Sequence, residues 1–326
     1  MISVTLPDFE QLHGLRGGAV VAPAPAALFR IAGPGALDCL QGLWTNDLLE
    51  PGDASITYGA LLTPKGMIVA DGWALRAGGD RVDLLLPAAS REAVSQIFRR
   101  SLPPRLATAT DLSDTTRVLH LLGDGAADRW PVLPLGRLPE AGMVAAGQTT
   151  EGAFLVAAPN SGPFHAVLFG TADAMAGMQS LLKAAGMRMG GEADREAARI
   201  LAGWPALDAE IDERTLPQEV RFDEHAGVSY TKGCYTGQET VARLHFRGHA
   251  NRVLRGLRWI GPRAEGDQVL AGDKQMGRAT SVLTLPDRVL GLAVIRRELQ
   301  PGNRVTVGDS PAVVIGLPFG PGDVEG

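Results

Sequence analysis

The sequence predicts an α+β protein, with two mixed lobes followed by a small antiparallel β-barrel. Strand-like and helix-like patterns alternate from the N-terminus to about position 250. Beyond that point helical periodicity disappears, and short apolar runs are separated by Gly, Pro and Asp turns, the pattern of a small barrel. A chain of 326 residues, 45% hydrophobic and 21% charged, is long for one compact unit and favours two or three. The expected units are residues 1–110, 111–250 and 251–326.

In chain order, AALFRIAG (26–33) reads as a strand, and Gly33-Pro34 opens a helix over ALDCLQGLW. SITYGALLT (55–63) and MIVADGWALR (67–76) flank the turn Pro64-Lys65-Gly66 and form a hairpin. RVDLLLPA is a strand. SREAVSQIFRRSL (90–102) is a helix presenting Val94, Ile97 and Phe98 on one face, and Pro103-Pro104 ends it. In the second lobe TRVLHLLG, AFLVAAP and FHAVLFG are strands, while TADAMAGMQSLLKAAGM and EADREAARILAGW are helices. Residues 128–150, with scattered Pro and Gly, read as a surface excursion. NRVLRGLRWI, RVLGLAVIRR, RVTVG and AVVIGL are the barrel strands.

The net charge of −5, without a long run of one sign, argues against nucleic acid as the main partner. No apolar run reaches the roughly 18 residues of a membrane span. MISVTLPDFEQ puts acids where a signal peptide needs a basic start, so a bacterial cytoplasmic location is expected. Monomer is the default. Two cysteines exclude a disulfide framework and four-Cys metal sites. The 27 arginines against four lysines reflect a GC-rich coding bias, which makes each lysine more informative.

TKGCYTGQETVARLHFRGHANR (231–252) is the densest chemical stretch. Thr236-Gly237-Gln238-Glu239 has capping-box spacing and precedes helix-compatible residues. That places Cys234 just before a helix N-terminus, where unpaired N–H groups favour negative charge, with Lys232 as a nearby cation. Both would lower the thiol's pKa and raise the thiolate fraction. Gly233 and Gly237 allow a tight turn. The bland alternative is a packed cysteine in a capped turn. His245 and His249, four apart, suggest a Cys/His₂ metal site with Cys234, but Gly248 between them ends the helix, and no metal is expected. Cys39, among Leu37, Leu40 and Leu43, reads as core.

KGCYTGQETVAR resembles the signature of the YgfZ family, folate-binding-like proteins related to the glycine-cleavage T-protein. LQGLWTNDLLEPGDASITYGALLTPKGMIVADGWALR and ARILAGWPALDAEI are similar to further segments of that family. The resemblance implies a GcvT-like, ring-like, three-part fold around a tetrahydrofolate-type pocket, and a role in assembling or repairing iron–sulfur clusters of particular enzymes. Partners would be the folate and iron–sulfur client or assembly proteins, with transient cluster contact at Cys234. Asp71 falls where the T-protein keeps the aspartate of its folate chemistry; the alternative is a strand position facing solvent. Lys65 borders such a pocket or is a solvated turn lysine. Gln218 and Arg243 are further folate contacts, with Gly233 and Gln238 beside them. Arg243, Arg247, Arg252 and Arg255 are a clamp for a folate glutamate tail or a solvated junction. Leu201 stands where the T-protein has a pterin-binding glutamate, which weakens pterin recognition and counts against aminomethyl transfer. Three functions remain open: a non-catalytic or weakly catalytic folate-binding accessory factor with Cys234 and Lys232 at its centre, a one-carbon transferase, and a thiol-based repair enzyme.

Overall fold

The computed structural model describes residues 1–130 and 136–324. In chain order the elements of the body are β1 Ile2–Thr5, α1 Phe9–Arg16, β2 Val20–Ala24, β3 Ala26–Ala32, α2 Ala36–Gln41, β4 Ser55–Leu62, β5 Ile68–Arg76, β6 Arg81–Pro87, α3 Arg91–Ser101, β7 Thr108–Asp111, β8 Thr116–Leu122, α4 Gly125–Arg129, β9 Met143–Gln148, β10 Ala153–Ala158, β11 Ala166–Thr171, α5 Ala172–Ala184, β12 Arg188–Met189, α6 Glu192–Ala202 and α7 Gln238–Arg247. The C-terminal part comprises β13 Arg252–Trp259, β14 Gln268–Ala271, β15 Lys274–Thr284, β16 Val289–Arg296, β17 Arg304–Val307, β18 Ser310–Ile315 and a last turn, α8 Pro321–Val324.

Eleven strands form one sheet in the order β12-β2-β8-β11-β10-β9-β4-β5-β6-β3-β7. The sheet runs through both lobes. Only Pro25 separates β2 from β3, yet they are second and tenth in this order. One residue spans about 3.5 Å, so the sheet must curl until its two ends face each other. The expected hairpin forms, with Tyr58 of β4 opposite Trp73 of β5 and Ala60 opposite Asp71. On α3 the expected face is buried through Val94 and Phe98, and Phe98 meets Phe29 edge-on at 5.5 Å between ring centroids.

Strands β15, β14, β17, β18, β13 and β16 close an antiparallel barrel, because β16 returns to pair with β15. β15 and β14 were not among the expected strands. The first strand of the chain, β1, joins this barrel, parallel to β15. A buried polar network ties the body to it. Arg199 on α6 donates to Glu210 Oε2 at 2.9 Å and to Ser281 Oγ at 2.8 Å, and Ser281 donates to Glu210 Oε1 at 2.6 Å. Each charged group is paired, as burial requires.

The excursion expected over 128–150 is corrected within the described residues. Met143–Gln148 pairs along its length with β10 and touches β4 at Met143, so it bridges the two lobes. Its small residues, Ala145, Ala146 and Gly147, hide it from a pattern search, and residues 131–135 lie outside the described part.

Candidate functional site

The signature loop docks on the β4–β5 hairpin through two glycines. Gly237 has φ +82 and Gly66 φ +88, the left-handed region that favours glycine. A Cβ on Gly237 would stand 2.6 Å from the Thr63 carbonyl oxygen and 3.0 Å from Gly66 Cα. The hairpin tip and the start of α7 are therefore in contact, which brings the exposed Lys65 beside the signature.

The capping box does not form. The residue ahead of α7 is Gly237, with no side-chain cap, because its left-handed turn swings Thr236 away from the helix. Thr236 N–H instead donates to the Gly42 carbonyl at 3.0 Å. Cys234 is an exposed free thiol, ahead of α7 and outside its first turn.

Lys232 was expected to act as a cation for the thiol, but its ammonium is committed elsewhere. The residue is 8% exposed, and Nζ donates to the carbonyls of Gln41 and Trp44 at 2.7 Å and of Asn46 at 2.8 Å. Three donors meet three acceptors. Burial pulls its pKa down to about 8, against the attraction of Asp47. The residues around these carbonyls are themselves fixed. Thr45 donates to Gly227 O at 2.6 Å, Asn46 donates to Tyr58 O and Ala226 O, and the Asp47 carboxylate accepts from the N–H groups of Leu49 and Glu50. Asn46 and Asp47 therefore cap a turn, and that turn is what holds Lys232. Gly233 has open space where a Cβ would be, so no close approach requires glycine there.

Beyond this knot lies a cavity of about 470 Å³ lined by Asn46, Asp47, Tyr58, Trp73, Asn160, Ser161, His225 and Tyr230, among others. A second, of about 580 Å³, shares Pro159, Asn160 and Ser161 with it and includes Leu201 and Phe164. Aromatic rings fill the space between. Trp73 stacks on Trp204 at 5.8 Å, Trp204 lies 4.0 Å from His225, and Tyr58 meets Trp204 edge-on at 4.6 Å. Burial, helped by Arg221, lowers the His225 pKa to about 3, so its ring is neutral near pH 7. Ser161 Oγ lies 3.4 Å from its Nδ1. Trp73 Nε1 is a buried donor without an acceptor.

Asp71 is buried and does not face solvent. One carboxylate oxygen accepts from Tyr58 O–H at 2.8 Å, and the other is buried and unpartnered. Burial raises its pKa from the usual 3.8 to about 6, opposed by the Tyr58 hydrogen bond. It does not line the cavity and reaches it only through Tyr58.

The remaining expected contacts are dispersed. Gln218 donates to the Val241 carbonyl at 2.9 Å and lines a different cavity, under α7. Arg243 projects exposed from α7, and Gln238 starts that helix. The basic strip divides too, since Arg252 is held by Glu219 through two 2.9 Å bonds. Sequence reasoning missed Tyr58, His225, Ser161 and Tyr230. Scarcity was the available signal: of three tyrosines, two line this cavity.

A curled sheet, a closed barrel and an aromatic cavity between lobes define a fold of the glycine-cleavage T-protein class. The GCVT N-terminal domain family matches residues 24–129. Glycine cleavage system aminomethyltransferase T from Bartonella henselae has the same fold, with a TM-score of 0.79 at 19% identity over 96% of this chain and 89% of that one. More particularly, the chain is 34% identical over 117 residues to the tRNA-modifying protein YgfZ of Serratia proteamaculans (strain 568), which is 34% of this chain and 36% of that protein. It is 35% identical over 120 residues to the same-named protein of Escherichia coli O45:K1, 35% and 37% of the two lengths. The chain thus spans about a third of the length of the curated relatives it matches. These likenesses support the recognition made from the signature: the chain is a relative of the YgfZ family, which is related to the T-protein. Among the described residues no helix is long and apolar enough to cross a membrane.

Proposed function

We propose that the chain is a tetrahydrofolate-binding accessory protein of the YgfZ kind, supporting iron–sulfur enzymes through Cys234, with tRNA-modifying enzymes among its clients. The cavity of about 470 Å³ carries the folate part of this reading. Its size and its Tyr58, Trp73 and neutral His225 walls suit a flat heterocycle. Trp73 Nε1, buried without a partner, fits as a donor to that ligand. A bound reduced folate would supply one-carbon chemistry. The chain's own part is to bind and orient it, with Asp71 and Tyr58 holding a shared proton behind the cavity wall.

Leu201, which the resemblance sets where the T-protein has its pterin glutamate, lines the adjoining cavity of about 580 Å³ and offers no acceptor there, which counts against aminomethyl transfer. Cys234, exposed and ahead of α7, is open to a protein partner or a cluster in transit, in keeping with an effector placed away from the cavity. The cytoplasm, with its iron–sulfur enzymes, is the compartment this role requires.

Calorimetric titration of tetrahydrofolate into the wild type, Trp73→Leu and Cys234→Ala tests it. The expected result is saturable binding in the first and third and at least tenfold weaker binding in the second. Absence of saturable binding in the wild type overturns the folate reading. Restoration of a client iron–sulfur enzyme's activity by Cys234→Ala as well as by wild type overturns the role of the thiol.

A further inference from the structure

The cavity under α7 is separate from the proposed folate cavity, and Tyr230 stands between them. It holds about 320 Å³ and is lined by Gln218, Asp223, His245, His249, Arg255 and Arg297, among others. Arg255 comes from β13 and Arg297 follows β16, so two barrel elements bring guanidinium groups to one mouth. Neither has an acidic partner among the described residues, and Arg255 Nε is buried with no acceptor. Gln218 Oε1 is likewise buried and unpartnered. On the helix side the rings of Tyr230 and His245 stack at 3.6 Å and 17°, and Phe246 stands edge-on to His245 at 4.8 Å. Phe246 is 66% exposed, an unusual place for a phenylalanine that no partner covers.

We infer that this cavity binds a nucleotide, taking its phosphate between Arg255 and Arg297 and its base against Phe246. Guanidinium groups suit phosphate oxygens geometrically, and Phe246, outside the cavity lining but edge-on to its His245, is the kind of exposed ring on which bases stack. Two features oppose an anion here: the carbonyl end of α7 and the Asp223 carboxylate. Asp223 is already engaged, accepting from the Tyr230 hydroxyl and lying 3.9 Å from His245 Nδ1. The two free arginines, with Arg243 and Arg247 on the exposed side of the helix, outweigh what remains. The chain-wide charge of −5 is an average and does not describe this face.

The nucleotide can be free or part of an RNA strand, and the experiment separates the two. Fluorescence anisotropy of a labelled decauridylate RNA is measured at about 50 mM salt, where phosphate contacts are strong. The same is done with uridine monophosphate as competitor, and with Phe246→Ala, with the double variant Arg255→Gln/Arg297→Gln, and with Arg304→Gln on β17 as control. Saturable binding that falls about tenfold in the first two variants and holds in the control supports the site. Competition by the mononucleotide at comparable concentration identifies a free nucleotide, and binding of the oligomer alone identifies a strand. No binding of either, or unchanged binding in Phe246→Ala or in the double arginine variant, overturns the proposal. Thermal unfolding and tetrahydrofolate titration of the same variants check the fold and the folate reading independently.

Discussion

Replacing Lys232 with Met separates a structural lysine from one that serves the thiol. The side chain keeps its length, while three charge-assisted hydrogen bonds to the Gln41, Trp44 and Asn46 carbonyls are lost. Hydrogen bonds to a charged group contribute about 1.5–3 kcal/mol each. Desolvation of the ammonium, visible in its pKa of about 8, offsets part of this. The carbonyls left behind lie at a buried turn and need new partners. A net loss of about 3–5 kcal/mol follows, in the range for breaking a buried charged contact. At about 2.1 cal/mol/K of unfolding entropy per residue, that is a fall in melting temperature of roughly 4–7 °C for a chain of this size. Urea unfolding followed by tryptophan fluorescence measures it, and the rate of Cys234 with a maleimide is read in the folded variant. A loss below about 1 kcal/mol, the size of a single ordinary hydrogen bond, would refute the reasoning. So would a thiol rate reduced tenfold in a protein of normal stability, which returns Lys232 to the thiol.

The buried Asp71 makes a signed pH prediction. Its carboxyl is raised from 3.8 to about 6, so the folded state favours the protonated form, and this contribution is full below pH 4 and lost as pH rises through 6. At about 1.4 kcal/mol per pH unit the loss is up to about 3 kcal/mol. Asp71→Asn keeps an acceptor for Tyr58 and should flatten the stability curve between pH 4 and 7; equal slopes in the two proteins would sink the assignment. Gly237→Val should destabilise by about 2 kcal/mol, the scale of strain at a left-handed position, because its side chain also meets the Thr63 carbonyl; chemical denaturation checks it. Arg199→Met should cost about 3–5 kcal/mol by leaving Glu210 buried without its cation. Arg199→Met combined with Glu210→Gln should recover part of that, and a calorimetric double-mutant cycle reads the coupling.

Much of the architecture could be read locally. Apolar periodicity marked α3 through Val94 and Phe98, and Pro64-Lys65-Gly66 marked the hairpin, because those signals are contained in short windows of sequence. The site was legible in its location but not in its wiring. The rarity of lysine drew attention to Lys232, yet its acceptors lie 186, 188 and 191 residues earlier in the chain. Thr236 and Glu239 had capping-box spacing, but Gly237 next to them adopts a left-handed conformation set by the hairpin it packs on. The sequence leaves Asp71 open to either the site or solvent, and it is the three-dimensional fold that buries it behind Tyr58. β9 escaped because Ala and Gly strands carry little hydrophobic contrast.

The pairing of β1 with β15 sets the order of events during synthesis. Ile2–Thr5 leaves the ribosome before the body, and its partner Ser281–Thr284 follows after it. At about 5–20 residues per second, the interval between the two is roughly 14–55 s. Throughout it the body can curl its sheet, but its leading strand has no edge to pair with. Arg199 likewise waits for Ser281, so the body completes its own polar network only when the barrel arrives. The barrel, made after the body, therefore acts as the clasp for β1.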